Sequence, residues 1–305
     1  MRWENLPGSD NVEDRRGQSG RGGFGLPMGR GGLGIGTVVV LGLIGWALGI
    51  DPRLLIGGAE VLTGGQQQQT QPYSRSGGAK TGEPDDQMGK FVAGVLGSAD
   101  IEWKEIFNKA GERYRGPRLV LYSGVTRQAC GGVAQSAMGP FYCPADQKVY
   151  LDTSFFRDIE HRFRGCQVGS PSCKFAQAYV VAHEVGHHVQ NLLGILPKVQ
   201  ARQRQLSRAE ANRLQVAVEL QADCLAGVWA HGADERWKIL EPGDVEAAMQ
   251  TAAAIGDDRL QKRARGYAVP DSFTHGTSAQ RQRWFMTGLK SGSISACNTF
   301  RAANL

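Results

Sequence analysis

The chain has 305 residues, 41% of them hydrophobic and 21% charged, with a formal net charge of +6. That length suits one or two domains, and the composition excludes a wholly disordered chain. The positive balance is too small to argue by itself for a nucleic-acid partner.

Residues 1–32 are polar and rich in arginine and glycine, with Arg15-Arg16, Arg21-Gly22-Gly23-Phe24 and Arg30-Gly31-Gly32. Such a composition buries no core and predicts a disordered tail. Arg-Gly-Gly copies beside an aromatic also occur in RNA-binding tails. Two short copies followed at once by an apolar run weigh against that, so no nucleic acid is expected. Residues 33–50 (LGIGTVVVLGLIGWALGI) carry no charge. Extended to Gly31, the run reaches the about 20 residues that cross a bilayer core, and glycine is common in membrane helices. One transmembrane helix is therefore expected to precede the folded domain. Arg15, Arg16, Arg21 and Arg30 lie before it and only Arg53 close behind. The positive-inside rule then places the N-terminus in the cytoplasm and the bulk of the chain in the periplasmic or extracellular space. Residues 51–84, with Gln66 to Gln69 followed by Pro72, Ser74 and Ser76, read as a flexible linker.

Residues 85–305 carry the expected folded domain. Two short amphipathic helices are predicted over 88–96 and 101–107. Residues 118–122 (RLVLY) predict a strand, and 131–152 predict strands joined by a turn at Cys143-Pro144-Ala145-Asp146. Ser172 is a candidate N-cap for a helix over 173–193, which Gly194 and Pro197 stop. Ser207-x-x-Glu210 is a capping box opening a helix to about His231. Pro242-Gly243-Asp244 opens another, to about Arg263, and Thr277-x-x-Gln280 caps a last one. The pattern is α+β, mostly helical, with a sheet of three or four strands. The cysteines are Cys130, Cys143, Cys166, Cys173, Cys224 and Cys297, and none forms C-x-x-C. Their even number in a domain facing an oxidising space suggests disulfides. Cys130 with Cys143 and Cys166 with Cys173 are the local pairings, leaving Cys224 with Cys297; a buried free thiol is the alternative for Cys224.

The predicted helix over 173–193 holds His183-Glu184-x-x-His187. Two histidines four apart lie on one helical face, so their imidazoles can converge on one metal, and the glutamate beside the first can reach the reacting water. A catalytic zinc usually takes three protein ligands and keeps one position open. A histidine six residues beyond His187 would mark one known arrangement, but Leu193 stands there. Glu219 fits the other, a glutamate on a following helix: an unpaired carboxylate among Val216, Val218, Leu220 and Leu225 would be costly to bury. Asp223, one turn on, can accept a hydrogen bond from the second nitrogen of a ligand histidine. His188 is rotated about 100° from His187 and reads as a neighbour rather than a ligand. His161 and His231 have no motif around them.

The chain resembles the bacterial neutral zinc metallopeptidases of the YpfJ type. The resemblance runs from Asn11-Val12-Glu13-Asp14-Arg15-Arg16 through MGPFYCPADQKVYLD (138–152), FAQAYVVAHEVGHHVQNLLG (175–194) and VELQADCLAGVWA (218–230) to TSAQRQRWFMTGLKSG (277–292). It implies a zincin-like, gluzincin-like fold, Zn2+ as cofactor and a peptide or protein as substrate. It further implies His183, His187 and Glu219 as metal ligands and Glu184 as catalytic base. Related membrane peptidases carry H-P-x-x-x-x-R after the ligand helix. Here His275 and Arg281 keep that spacing, with Gly276 in place of the proline. His275 is thus a candidate for stabilising the oxyanion, with a turn or capping role as the alternative. The Cys166–Cys173 segment reads as an added loop before the active helix. The competing reading is a membrane-tethered binding protein with a non-catalytic zinc site, against which Glu184 argues, since a structural site has no use for it. Oligomeric state is left open.

Overall fold

A computed structural model describes residues 1–17 and 79–301. These residues form one unit, which is mostly helical with a small sheet. The apolar run 33–50 and most of the expected linker lie outside the described residues; among the described residues no helix is long and apolar enough to cross a membrane.

The sheet has five strands in the order β2 (Lys80–Thr81), β1 (Val12–Asp14), β3 (Arg118–Tyr122), β7 (Lys148–Asp152), β6 (Phe141–Cys143). Strands β1, β3 and β7 run parallel, and β2 and β6 close the two edges antiparallel. Alternation along β3 and β7 sends Leu119, Leu121, Val149 and Leu151 into the main core. Val120, Tyr122 and Tyr150 point to the opposite face, where Ala134 of a hairpin, β4 (Val125–Gln128) with β5 (Gly132–Gln135), covers them. Cys130 at the hairpin's turn is bonded to Cys143 of β6, which ties the hairpin to the sheet.

The first strand corrects the expectation of a disordered tail over 1–32, as far as Gly17. Val12 is fully buried, and β1 sits inside the sheet between β2 and β3. Its charged neighbours are each paired. Glu13 accepts from Arg15 at 2.8 Å and from Lys148 of β7 at 3.0 Å, and Arg16 bridges Asp14 and Asp86. The charges that make this stretch look like a solvated tail are the ones that fasten it.

Among the described residues eight α-helices accompany the sheet: α1 (Gln87–Lys109), α2 (Ser154–Arg157), α3 (Cys173–Leu192), α4 (Ile195–Gln203), α5 (Arg208–Trp237), α6 (Asp244–Ala254), α7 (Asp257–Arg265) and α8 (Ser278–Ser291). Helix α1 is continuous where two short helices were predicted. Its Gly97 is a contact rather than a break: a Cβ there would stand 2.4 Å from the carbonyl oxygen of Pro7, so the N-terminal segment lies directly on the helix backbone. Capping boxes open α5 at Ser207 and α8 at Thr277 as predicted, whereas Ser172 makes no side-chain cap for α3. Helix α5 runs six residues past His231, and the predicted helix over 244–263 divides at Ile255-Gly256 into α6 and α7. The other two disulfides are also as read from the sequence, Cys166–Cys173 at the start of α3 and Cys224–Cys297 pinning the C-terminal segment to α5. Helix α3 packs against α5, α6 and α1, so the stretch carrying His183 to His187 lies in the middle of the core.

Candidate metal centre

Helices α3 and α5 bring His183, His187 and Glu219 together. One ligand-type atom from each lies within 4.8 Å of the others. The Nε2 atoms of His183 and His187 stand 3.2 and 3.4 Å from the same carboxylate oxygen of Glu219. The two imidazoles are one helical turn apart, with ring centroids at 4.8 Å. Nitrogen, nitrogen and carboxylate oxygen converging from three side chains match the donor set of a catalytic zinc site. The second oxygen of Glu219 accepts from Gln215 Nε2 at 2.9 Å, which leaves the shared oxygen aimed at the histidines. Glu184 is buried beside them, and its charge adds to that of Glu219 in favouring the protonated form of His187.

The electrostatics follow from burial and from these pairs. Burial alone lowers a histidine pKa, but the Glu219 carboxylate outweighs it and raises His187 to about 9 in the metal-free chain. For Glu219 burial acts upward, and the charge of His187 with hydrogen bonds from both histidines carries it well below the usual carboxylate range. A buried carboxylate held ionised between two imidazoles is poised to exchange their protons for a cation.

Asp223 is fully buried and accepts His183 Nδ1–H at 2.8 Å, which fixes the tautomer and turns Nε2 towards Glu219. It also accepts from the Tyr179 hydroxyl at 2.6 Å and from Arg281 through two bonds of 2.8 Å. Burial pushes the Asp223 carboxyl up, yet the charges of Arg281 and His183 bring it down to about 2. Removing Arg281 alone would leave Asp223 an uncompensated buried charge, a class of change that costs about 3–5 kcal/mol. The sequence marked Arg281 only as one end of a His-to-Arg spacing.

His275 is half exposed and lies outside the three-residue ligand group, with the hydrogen bond to Asp257 and then the charge of Glu219 favouring its protonated form against burial. Asp257 holds this turn, accepting the backbone N–H of Thr274 and His275 at 2.6 Å and facing His275 Nδ1 at 3.3 Å. Gly276 has φ +88°, a conformation closed to proline, so the departure from H-P-x-x-x-x-R has a backbone cause. The structure thus gives His275 the turn role as well as proximity. His188 is not a ligand. It is buried, bonded to the Tyr142 hydroxyl at 3.0 Å and to the Arg115 carbonyl at 2.7 Å, and burial lowers it to about 4. His231 bonds the Leu289 carbonyl at 2.9 Å.

The model of a family described as "Putative neutral zinc metallopeptidase" matches residues 1–300. The chain belongs to that family. The family implies Zn2+ as the cofactor, and the His-His-Glu cluster is where it could be held. The chain is 47% identical over 305 residues to the uncharacterized protein YpfJ of Escherichia coli K12, covering 98% of this chain and 99% of that one. It is 43% identical over 223 residues to the uncharacterized protein Rv2575 of Mycobacterium tuberculosis H37Rv, covering 70% of this chain and 71% of that one. No solved structure matches. The match from residue 1 onward accords with the strand built from residues 12–14 of this family member.

Proposed function

We propose that the protein is a zinc-dependent endopeptidase with His183, His187 and Glu219 as metal ligands and Glu184 as general base. The observation that carries this is the meeting of the three ligand side chains within 4.8 Å on two buried helices. Zinc in such a site supplies a Lewis acid that polarises a carbonyl and lowers the pKa of water to about 7. Glu184 takes the proton from water and passes it to the departing amine. Asp223, fixed by Arg281 and Tyr179, keeps the His183 Nδ1–H engaged so that Nε2 stays available. With Nδ1 facing Asp257, His275 has Nε2 left for the oxygen on which charge develops. The test is cleavage of an unfolded protein such as denatured casein by the purified chain. Chelation should abolish cleavage and added zinc restore it. Stoichiometric zinc with no cleavage of any peptide would favour a non-catalytic site instead.

The three disulfides support an oxidising compartment outside the cytoplasm. The uncharged run over 33–50 supports attachment to the cytoplasmic membrane. The pairing of β1 argues against a cytoplasmic N-terminus. Strand β1 is paired on both sides within the same sheet as the rest of the unit, and one bilayer crossing between residues 17 and 79 would divide that sheet. We therefore place residues 1–17 and the metal centre on one side. All six cysteines are in disulfides, so a single introduced thiol is specific. Cysteine at exposed Asp10 and, separately, at exposed Glu112 should react alike with a membrane-impermeant maleimide in intact spheroplasts. Labelling of one and protection of the other, with both reactive after detergent, would sink the same-side arrangement.

A further inference from the structure

The two histidines of the cluster are held differently. His183 is oriented by a carboxylate, but His187 Nδ1 faces the side-chain oxygen of Gln190 at 2.8 Å. Gln190 is fully buried and lies three residues on, one turn along α3. Its amide cannot be turned round, because its nitrogen donates to the Val218 backbone carbonyl at 2.8 Å, and a carbonyl only accepts. The same nitrogen donates to the side-chain oxygen of Gln221 at 3.0 Å. Gln221 is locked in the same way: its nitrogen donates to the Cys297 carbonyl at 2.9 Å. Cys297 is in turn bonded to Cys224, three residues from Gln221 on α5. Every amide in this chain is therefore oriented by a backbone carbonyl, and the direction of donation runs outward from His187. Facing an oxygen that can only accept, Nδ1 of His187 must carry a proton, and Nε2, which faces Glu219, is the nitrogen whose lone pair a metal would take in exchange for its proton.

We propose that Gln190 is a positioning residue for His187, setting its tautomer and ring orientation, and that Gln221, anchored on the Cys297 carbonyl, keeps the Gln190 amide from rotating. The division of labour has a physical sense. A second carboxylate beside His187 would add to the negative charge of Glu184, Glu219 and Asp223 in one buried site. A neutral amide orients the ring without that cost. Gln190 thereby performs for one ligand what Asp223 performs for the other.

This inference rests on His187 being a zinc ligand. The readout is the zinc dissociation constant of the full chain, measured by competition with a chromophoric chelator, with far-ultraviolet circular dichroism of each metal-free variant as the folding control. Gln190→Leu should weaken zinc binding by about 10–100-fold, the range for losing a partner of a metal-bound histidine. Gln190→Glu keeps an acceptor for His187 Nδ1–H but loses the donor to Val218 and Gln221 and adds a charge, so it should recover only part of the zinc affinity that Gln190→Leu loses. A folded Gln190→Leu chain with unchanged zinc affinity overturns the proposal, as does a Gln190→Glu chain as weak as Gln190→Leu. If Gln190→Leu does not fold, Gln221→Leu decides: it frees one restraint on the Gln190 amide while Val218 holds the other, and an intermediate loss of affinity is expected. No loss there overturns the anchoring role. An unsubstituted chain that binds no zinc would defeat the metal-site reading itself, a result distinct from all of these.

Discussion

Glu184→Gln is expected to bind zinc as tightly as the unsubstituted chain and to hydrolyse peptides about 10²–10⁴-fold more slowly, the range for loss of a positioned general base. The substitution keeps size and hydrogen-bonding capacity while removing the group that accepts a proton. Glu184 stands outside the cluster of ligand atoms, so zinc content should be undisturbed. The measurement is a pair, metal content and turnover of one peptide at one pH. Full activity in the glutamine chain would remove Glu184 from the chemistry. Loss of both zinc and activity would instead make it part of the metal site.

Replacement of Glu219 by alanine should weaken zinc binding by more than the about 10–100-fold typical of outer-shell partners, because it would take away one of the three proposed direct ligands. Activity should fall with metal content. The substitution also changes the protons. In the metal-free chain Glu219 holds the His187 pKa at about 9 against its ordinary value near 6.5. That pairing stabilises the fold fully below about 6.5, and the contribution is lost as pH rises through about 9. Zinc must displace this proton, so binding to the native chain should release one at neutral pH. In the alanine chain the carboxylate is gone and burial favours neutral histidine. Titration calorimetry in two buffers of different ionisation enthalpy reads the proton release directly. An alanine chain with native zinc affinity would exclude Glu219 as a ligand.

Much of the site was legible because its chemistry is repetitive. His183, Glu184 and His187 are set by helical spacing, and Glu219 and Asp223 stand out as carboxylates in an apolar helix. Gln190 and Gln221 were not legible: a glutamine in a helix is ordinary, and only the neighbouring carbonyls show which way its amide must face. Arg281 was visible as a spacing but not as the cation that lets Asp223 stay ionised in the core. The sheet was underestimated at its N-terminal side. Val12–Asp14 offers one apolar residue among charges, too short a pattern to read as a strand, and the glycines that follow colour the composition of the whole stretch. Gly97 misled in the opposite direction. It falls between the two short helices expected over 88–96 and 101–107, yet it is the place where Pro7 rests on a continuous α1.

The pairing of Asp14 with Lys80 and of Glu13 with Thr81 makes β1 and β2 the two arms of a hairpin whose connection is residues 18–78. The free energy of closing such a connection changes little with its length, by about 0.6 kcal/mol per doubling. In chain-statistical terms the apolar run is therefore an insertion at a hairpin tip, the kind of place where sequence is gained or shed with least disturbance to the fold. The unit formed by residues 1–17 and 79–301 can thus be viewed as a self-contained body into which the intervening sequence is spliced. A short turn between Gly17 and Ala79 would leave every strand of its sheet in register.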